Sequence, residues 1–311
     1  MSRVRWHEIP LPLRAGIEGV LGEPVVTAHS QSGGYSPGSA DRVITSSGRR
    51  AFVKTAGLSV NADTPGIHRA EAAVTASLPD AVPAPALIGF VEHDDWVALV
   101  LEDVEARHPS TPWEPRELEA VLDALHRMGS VALPPDAALK ELPNAIADDV
   151  EQWRGMDMST LPPLARGLDD WVRGHHEALV DASARAVADV RGDRLVHFDT
   201  RADNILLRED GSVVFVDWPW GARGVPWFDA LSLLINVRYY DPEADIESLI
   251  ARHAVFAGMP ADAATRVLAG FGGIFLASSL RPEPPRMPTL RTFQRDQAIV
   301  TLDWVRDRWE G

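Results

Sequence analysis

The segment from residue 197 to residue 217 constrains this chain more than any other part of its sequence. Asp199 is followed five residues later by Asn204, and Asp217 comes thirteen residues after that, at the end of the apolar run 213–216. Transfer of a phosphoryl group requires a carboxylate beside the acceptor hydroxyl and oxygen ligands for Mg²⁺. The spacing predicts that Asp199 accepts the hydroxyl proton and that Asn204 and Asp217 bind the metal. Arg201 would add a fixed positive charge near the transferring phosphate.

The turn that contains these residues resembles the catalytic loop of the aminoglycoside phosphotransferase family, relatives of the protein kinases, which reads H-G-D-x-x-x-x-N. The sequence matches this pattern at His197, Asp199 and Asn204. It departs at Phe198, where Gly is usual, and at Arg201, where His is common. Protein kinases carry Lys at the Arg201 position, so a cation there agrees with the resemblance.

The resemblance also implies roles for residues outside this turn. Lys54 ends an apolar run and resembles the lysine that grips the α- and β-phosphates, and Glu71 on the next predicted helix resembles its partner. A glycine-rich turn after residue 30 resembles the phosphate-covering loop, and residues 99–103 resemble the hinge whose backbone hydrogen-bonds adenine. Asp229 would support the catalytic turn from beneath, together with His197. The implied nucleotide-binding residues are Lys54, Glu71, Ser32, Gly33, Gly34, Leu101, Glu102 and Asp103.

The length and texture of the chain favour two lobes. It has 311 residues, and single cores stop growing at about 250–300 residues. The first hundred residues contain about five predicted strands and one predicted helix, whereas helical periodicity dominates after residue 102. Together with the resemblance, this predicts an α+β, bilobal protein-kinase-like fold. Residues 1–101 would form the nucleotide-binding lobe and residues 102–311 the catalytic and acceptor-binding lobe.

Negative charge is concentrated in the second predicted lobe. The net charge is −15; residues 1–100 hold 8 Lys and Arg against 10 Asp and Glu, and residues 101–311 hold the remaining 22 against 35. Such a surface repels nucleic acid and attracts cations. A solvated, solubilising surface is the alternative interpretation. The candidate carboxylates for binding a cationic acceptor are Asp148, Asp149, Glu151, Asp157, Asp241 and Asp245.

Several other classes of site are excluded by the sequence. There is no Cys, so disulfides and thiolate metal sites are both ruled out. Gly33 and Gly38 have the spacing of a P-loop, but Ser39 and Ala40 stand where Lys and Ser or Thr are required. The sequence shows neither a signal-peptide segment nor an apolar run long enough to cross a membrane. We therefore expect a cytoplasmic protein, and the family default is a monomer.

The sequence thus predicts a small-molecule kinase that uses ATP or GTP with Mg²⁺. Within the range of acceptors known for the family, the acidic second lobe favours an aminoglycoside-like or other cationic antibiotic or natural product. A kinase of a housekeeping metabolite, such as choline, homoserine or an amino sugar, is one alternative. A nucleotide-binding pseudokinase that regulates a partner is the other.

Overall fold

The architecture is that of a computed structural model, which describes residues 3–31, 37–284 and 287–311. The strands are β1 (Val25–Ser30), β2 (Ser39–Thr45), β3 (Arg50–Gly57), β4 (Leu87–His93), β5 (Trp96–Leu101), β6 (Lys140–Glu141), β7 (Arg194–Val196), β8 (Ile205–Leu207), β9 (Val213–Phe215) and β10 (Ala222–Gly224). The α-helices are α1 (Leu11–Leu21), α2 (Thr64–Ser77), α3 (Pro115–Met128), α4 (Leu142–Val150), α5 (Gln152–Gly155), α6 (Leu168–Asp189), α7 (Phe228–Tyr240), α8 (Ile246–Arg252), α9 (Ala263–Ser279) and α10 (Leu290–Glu310).

The first five strands form one antiparallel sheet in the order β1-β2-β3-β5-β4. A tight turn joins β2 to β3, where the N–H of Gly48 donates to the carbonyl oxygen of Thr45 over 2.9 Å. Gly48 has a φ of +90°, a conformation that glycine adopts without steric cost. The five strands predicted from the sequence are confirmed. Lys54 pairs with Leu99 across β3 and β5, which places it in the middle of the sheet.

Helix α1 covers the outer face of this sheet. Leu13, Ile17 and Leu21 are buried, and their spacing of four residues puts them on one stripe of the helix. Pro12 lies in the first turn, where proline is tolerated, and Gly22 ends the helix with a φ of +80°. The expectation of a single helix in the first hundred residues is therefore wrong. The prolines and glycines in and around this helix made its helical pattern of apolar residues hard to recognise in the sequence.

Helix α2 packs on the opposite, inner face of the sheet. Side chains alternate along β3, so Val53 belongs to the outer cluster with α1, whereas Phe52 packs in the inner cluster with Ala72 of α2. Lys54 lies on the same face as Phe52. The alternation of side chains along β3 thus places the Lys54 side chain on the face toward α2, on which Glu71 is buried.

The helices after residue 114 share one apolar core. At its centre, α9 packs closely against α10 and α5. A Cβ atom at Gly272 would lie 2.5 Å from Leu302, and one at Gly273 would lie 2.4 Å from the indole nitrogen of Trp153. The two glycines therefore allow α9 to contact both neighbours. None of the helices in the described residues is both long and apolar enough to span a bilayer. A boundary between two lobes at residue 101 stays a prediction.

Candidate active site

A short hairpin brings Asn204 and Asp217 to the same place. Asn204 lies immediately before β8, and Asp217 follows β9, which pairs antiparallel with β8 so that Ile205 lies opposite Phe215. The N–H of Val216 donates to the carbonyl oxygen of Asn204 over 2.9 Å. Both Asn204 and Asp217 line the cleft between the five-stranded sheet and the helical part of the molecule. The thirteen-residue spacing is thus the length of a hairpin that returns to its starting point.

Asp229, at the start of α7, holds the backbone of the turn at residues 197–204. The N–H of His197 donates to its Oδ2 over 2.7 Å, and the N–H of Phe198 donates to its Oδ1 over 2.9 Å. The hydroxyl of Thr200 donates to the backbone carbonyl oxygen of Asp229 over 2.8 Å. Burial raises the pKa of Asp229 to about 7, even though the two N–H donors favour the carboxylate. The two backbone hydrogen bonds therefore stabilise the buried Asp229 carboxylate.

We expect Asp229→Asn to lower the free energy of unfolding by about 2–3 kcal/mol. The amide oxygen of Asn accepts from one backbone N–H, but its NH₂ would face the other and leave that buried donor unsatisfied. Urea denaturation followed by circular dichroism measures the change. The matched control is Asp193→Asn, an exposed carboxylate just before β7, which should change stability by less than about 0.5 kcal/mol. Equal, small effects of the two substitutions would contradict this role of Asp229.

His197 ties the same turn to the hairpin in its neutral form. Burial lowers its pKa to about 4. Its Nε2 lies 2.9 Å from the carbonyl oxygen of Val216, and because a carbonyl only accepts, Nε2 carries the proton. Its Nδ1 accepts from the backbone N–H of Asp199 over 3.3 Å. His197 therefore fixes the direction in which the backbone enters Asp199.

Phe198 occupies the position where the resembling family usually has Gly, and its backbone explains that preference. Its φ is +74°, in the left-handed region that a bulky side chain rarely adopts. Its ring packs against Phe228 at a centroid distance of 5.4 Å. The turn therefore keeps the left-handed conformation without a glycine, and aromatic packing offsets part of the steric cost.

Asp199 is bonded directly to Asn204. The Nδ2 atom of Asn204 donates to the Oδ2 and to the backbone carbonyl oxygen of Asp199, each over 2.9 Å. These bonds orient the Asn204 amide so that its Oδ1 points away from Asp199. Burial raises the pKa of Asp199 to about 6, against the attraction of the Arg201 charge. The carboxylate is thus ionised at neutral pH and binds a proton more readily than an exposed one.

Arg201 is held by two carboxylates and an aromatic ring. Its Nε and Nη2 donate to Asp203 over 3.0 and 3.1 Å, and its Nε lies 3.6 Å from Asp199. The guanidinium carbon lies 5.3 Å from the ring centroid of Phe293 on α10. Although burial would lower its pKa, the two carboxylates raise the pKa of Arg201 above its usual value. A phosphate that contacts Arg201 would share it with Asp203.

Lys54 joins the sheet, α2 and the hairpin. Its Nζ donates to both oxygens of Glu71, over 2.7 and 2.9 Å, and to Oδ1 of Asp217 over 2.8 Å. Burial alone would lower the pKa of Lys54, but these two carboxylates hold it above its usual value. In turn, Lys54 holds the pKa of Asp217 below its usual value, although burial would raise it. Both groups are therefore charged at neutral pH.

Part of the cleft is an apolar slot. Phe52 and Leu101 line it from the sheet, whereas Leu206 and Val216 line it from the hairpin. A slot with apolar walls on two sides suits the faces of a planar heterocycle. The segment that follows β5 borders this slot through Val104.

The hinge residues predicted from the sequence, Leu101, Glu102 and Asp103, all line this cleft. The N–H of Glu102 donates to the carbonyl oxygen of Ala86 over 2.9 Å. The carboxylate of Asp103 is buried and accepts from Nε of Arg50 over 2.8 Å. The Asp103 side chain therefore anchors the hinge to β3.

The predicted phosphate-covering residues Ser32, Gly33 and Gly34 lie outside the described residues. Gln31 and Ser39, on either side of that segment, both line the cleft. A Cβ atom at Gly38 would lie 1.8 Å from the carbonyl oxygen of Thr55, so only glycine fits there. The backbone that leaves this segment therefore lies directly against β3.

Three of the candidate acceptor carboxylates share a second pocket. Asp148, Glu151 and Asp157 line it together with Ala277 and Leu280 at the end of α9. All three carboxylates are exposed. The lining of this pocket therefore includes both acidic and apolar side chains.

The other candidate carboxylates are not in this pocket. Asp149 lies in α4, and its side chain is outside what the structure describes. Asp241 accepts from the N–H of Glu243 over 3.2 Å. Asp245 caps α8 by accepting from the N–H and the hydroxyl of Ser248, over 3.1 and 2.7 Å. Local turn and cap bonds therefore account for Asp241 and Asp245.

Sequence reasoning missed four residues that contact this site. Arg3 and His68 line the cleft near Lys54, and Phe293 contacts Arg201. The Oδ1 of Asn236 on α7 accepts from the N–H of Ala202, over 3.3 Å, in the turn at residues 197–204. His68 could have been found, because it lies one helical turn before Glu71. No sequence pattern around Arg3, Phe293 or Asn236 indicates that they contact the site.

Asn204 and Asp217 fit a site for a hard divalent cation. Magnesium is usually held by one or two carboxylates, with phosphate oxygens and water completing its shell. Within the described ranges, no group of three or more His, Cys, Asp or Glu side chains could hold a metal ion. Two oxygen donors of this kind leave most of a magnesium shell to phosphate oxygens and water.

Comparison with protein families gives a match over most of the chain. The model described as the phosphotransferase enzyme family, APH, matches residues 32–268. This range includes the sheet strands β2 to β5, the hairpin and α7. No match was found among the curated proteins.

Comparison with solved structures gives several similar folds. Choline kinase LicA from Streptococcus pneumoniae is 14% identical with a TM-score of 0.60, covering 94% of this chain and 98% of that one. Spectinomycin phosphotransferase APH(9)-Ia, in complex with ADP and spectinomycin, is 13% identical with a TM-score of 0.58, covering 94% and 98%. A thermostable mutant of aminoglycoside phosphotransferase APH(4)-Ia, with AMP-PNP and hygromycin B, is 17% identical with a TM-score of 0.61, covering 96% and 99%. At this level of identity the likeness shows the fold, and it confirms the predicted α+β kinase-like architecture.

Proposed function

Because this chain belongs to the phosphotransferase enzyme family, we propose that it transfers the γ-phosphate of ATP or GTP to a hydroxyl group of a small cationic natural product, such as an aminoglycoside or another antibiotic. By family and fold it is a small-molecule kinase. One observation carries the proposal. Lys54 joins Glu71 to Asp217 in the same cleft that Asn204 lines, and Asn204 is bonded to Asp199.

In this proposal each of these side chains has one role. The oxygen of the acceptor hydroxyl bonds to the γ-phosphorus while Asp199 accepts the proton of that hydroxyl. The bond between the γ-phosphorus and the leaving nucleoside diphosphate breaks. Lys54 holds the α- and β-phosphates. Asn204 and Asp217 would hold Mg²⁺, which would neutralise charge on the phosphate oxygens when bound. His197 and Asp229 keep Asp199 in position.

The second pocket supports a cationic acceptor. The described residues that line it include Asp148, Glu151 and Asp157 but no Lys or Arg. It lies at the C-terminal end of α9, and the middle of α9 contacts α7, where Phe271 lies 5.5 Å from Phe228 between ring centroids.

Two alternatives remain as proposals. A kinase of a housekeeping metabolite, such as choline, homoserine or an amino sugar, is favoured by the similarity in fold to a choline kinase. A pseudokinase that binds nucleotide and regulates a partner is the other. The presence of Lys54, Asp199 and Asp217 argues against the pseudokinase, since a binding module does not need a proton acceptor.

A panel of acceptors tests the proposal. Aminoglycosides, peptide and nucleoside antibiotics, choline, homoserine and amino sugars are each incubated with radiolabelled ATP or GTP and Mg²⁺, and products are identified by mass spectrometry. We expect saturable transfer to at least one polycationic antibiotic. Higher kcat/KM for choline or homoserine would favour the metabolic alternative. Nucleotide binding without transfer to any acceptor would favour the pseudokinase.

The pKa of Asp199 predicts the pH dependence of the reaction. Because burial raises this pKa to about 6, a growing fraction of the side chain is protonated below pH 6 and cannot accept a proton. We expect kcat/KM for the acceptor to rise with pH, level off above about pH 7, and fall about tenfold per unit well below pH 6. The affinity for the nucleotide, measured over the same range, corrects for titration of the phosphate. A flat profile between pH 5 and pH 8 would contradict the role of Asp199 as base.

A further inference from the structure

Arg3, which precedes the first helix, lines the cleft that contains Lys54 and Asp217. His68 lines the same cleft. Burial lowers the pKa of Arg3, whereas Asp41 and Asp217 act on it in the opposite direction. The guanidinium therefore lies within electrostatic reach of both carboxylates.

The N-terminal arm (residues 3–9) holds Arg3 in this position. Val4 is 9% exposed and Ile9 is 2% exposed, and both pack with α1 against the outer face of the sheet. The backbone N–H of Arg5 donates to the carboxylate of Glu8 over 2.7 Å, which closes a turn in the arm. Because the neighbouring Val4 is buried, the backbone next to Arg3 is held in place.

His68 provides a second, independent sign of a ligand in this cleft. Its imidazole is 2% exposed, and neither ring nitrogen has a hydrogen-bond partner among the described residues. The carboxylate of Glu71 is 4.0 Å away, too far for a hydrogen bond. Buried polar groups are normally paired, so this imidazole lacks a partner that a ligand or a water would supply. It lines the same cleft as Arg3.

We propose that Arg3 is a nucleotide-binding residue whose guanidinium binds the β- and γ-phosphate oxygens, with the His68 imidazole donating to the same phosphates. The inference rests on the proposed function, because it requires a nucleoside triphosphate in the cleft. Lys54 is already bonded to Glu71 and Asp217, so it supplies one point charge to a polyanion. A guanidinium fork adds two parallel N–H donors, which match the geometry of a phosphate.

Affinities for ATP, ADP, AMP and adenosine, measured by calorimetry with Mg²⁺, test this inference without any acceptor. We expect Arg3→Ala to weaken ATP binding about tenfold or more, because a charge-assisted pair to phosphate is lost. Adenosine binding should not change, since it has no phosphate. Arg3→Lys should recover part of the loss. The matched control is Arg5→Ala, which removes the same charge from an exposed position of the same arm.

The outcomes separate this inference from the proposed function. Equal ATP affinity in Arg3→Ala and the unmodified protein would overturn it. Tighter ATP binding in Arg3→Ala would also overturn it, because Arg3 would then obstruct the cleft. A similar loss in Arg5→Ala would overturn it as well, by assigning the effect to overall charge. Failure of the unmodified protein to bind ATP would contradict the proposed function instead. Equal melting temperatures without nucleotide show that the variants are folded.

Discussion

Asp199→Asn should lower kcat by about 10²–10⁴-fold while leaving the affinity for ATP nearly unchanged. The substitution keeps the shape of the side chain and can still accept the bond from Asn204. It removes the negative oxygen that would accept the proton of the acceptor hydroxyl. Steady-state kinetics with the acceptor found in the panel measures kcat, and calorimetry measures ATP binding.

The matched control for this prediction is Asp203→Asn. Asp203 lies in the same turn and pairs with Arg201, but its carboxylate is more exposed and is bonded to that guanidinium. We expect its substitution to lower kcat by about tenfold or less, through a change in the charge around Arg201. Equal losses in the two variants would remove the distinction between a proton acceptor and a surrounding charge. Loss of ATP binding or of folding in Asp199→Asn would likewise contradict its assigned role.

The approach of Asn204 and Asp217 to each other could be predicted because its geometry is local. Asn204 and Asp217 lie at the two ends of one hairpin, so their separation in sequence determines that they meet. The pairing of Lys54 with Glu71 could also be predicted, because a strand followed by a helix on its inner face brings these two positions together. In each case the two residues belong to the same short unit of consecutive elements, so their separation in sequence indicates that they meet.

The residues that sequence reasoning missed meet the site through long-range packing. Asn236 reaches Ala202 from the third turn of α7, and Phe293 reaches Arg201 from the first turn of α10. Arg3 lines the cleft, although its neighbour Val4 packs in the cluster on the outer face of the sheet. No interval in the sequence encodes these contacts, since they depend on how separate elements pack.

The acceptor residues illustrate a different limit. Charge composition showed that residues 101–311 carry most of the negative charge. It does not distinguish carboxylates that face a common pocket from those that cap a helix. Asp157 and Asp245 both follow the pattern of an Asp that accepts from a nearby Ser. Only Asp157 also lines the pocket at the end of α9. That difference depends on where α9 packs, and the sequence around Asp157 does not show this.

Asp217→Asn should weaken the dependence of nucleotide binding on Mg²⁺ and lower kcat by roughly 10²–10³-fold. The Asp217 carboxylate bonds Lys54 through one oxygen, and its side chain is 38% exposed in the cleft, so the other oxygen is accessible to a metal. Replacing the carboxylate with an amide removes the negative charge that a hard cation prefers. We therefore expect Mg²⁺ to tighten ATP binding strongly in the unmodified protein and only slightly in the variant.

The contrast with Glu71→Gln makes this prediction specific to the metal. Glu71 bonds the same Lys54 but is 1% exposed and lies on α2, so its substitution disturbs the lysine without removing a metal ligand. Calorimetric titrations of ATP at increasing Mg²⁺ should give a shifted midpoint in Asp217→Asn and an unchanged midpoint in Glu71→Gln. An unchanged midpoint in Asp217→Asn would mean that its carboxylate only neutralises Lys54. In that event the metal would have to be held by Asn204 and the phosphates alone, and the hairpin would lose one of its two proposed ligands.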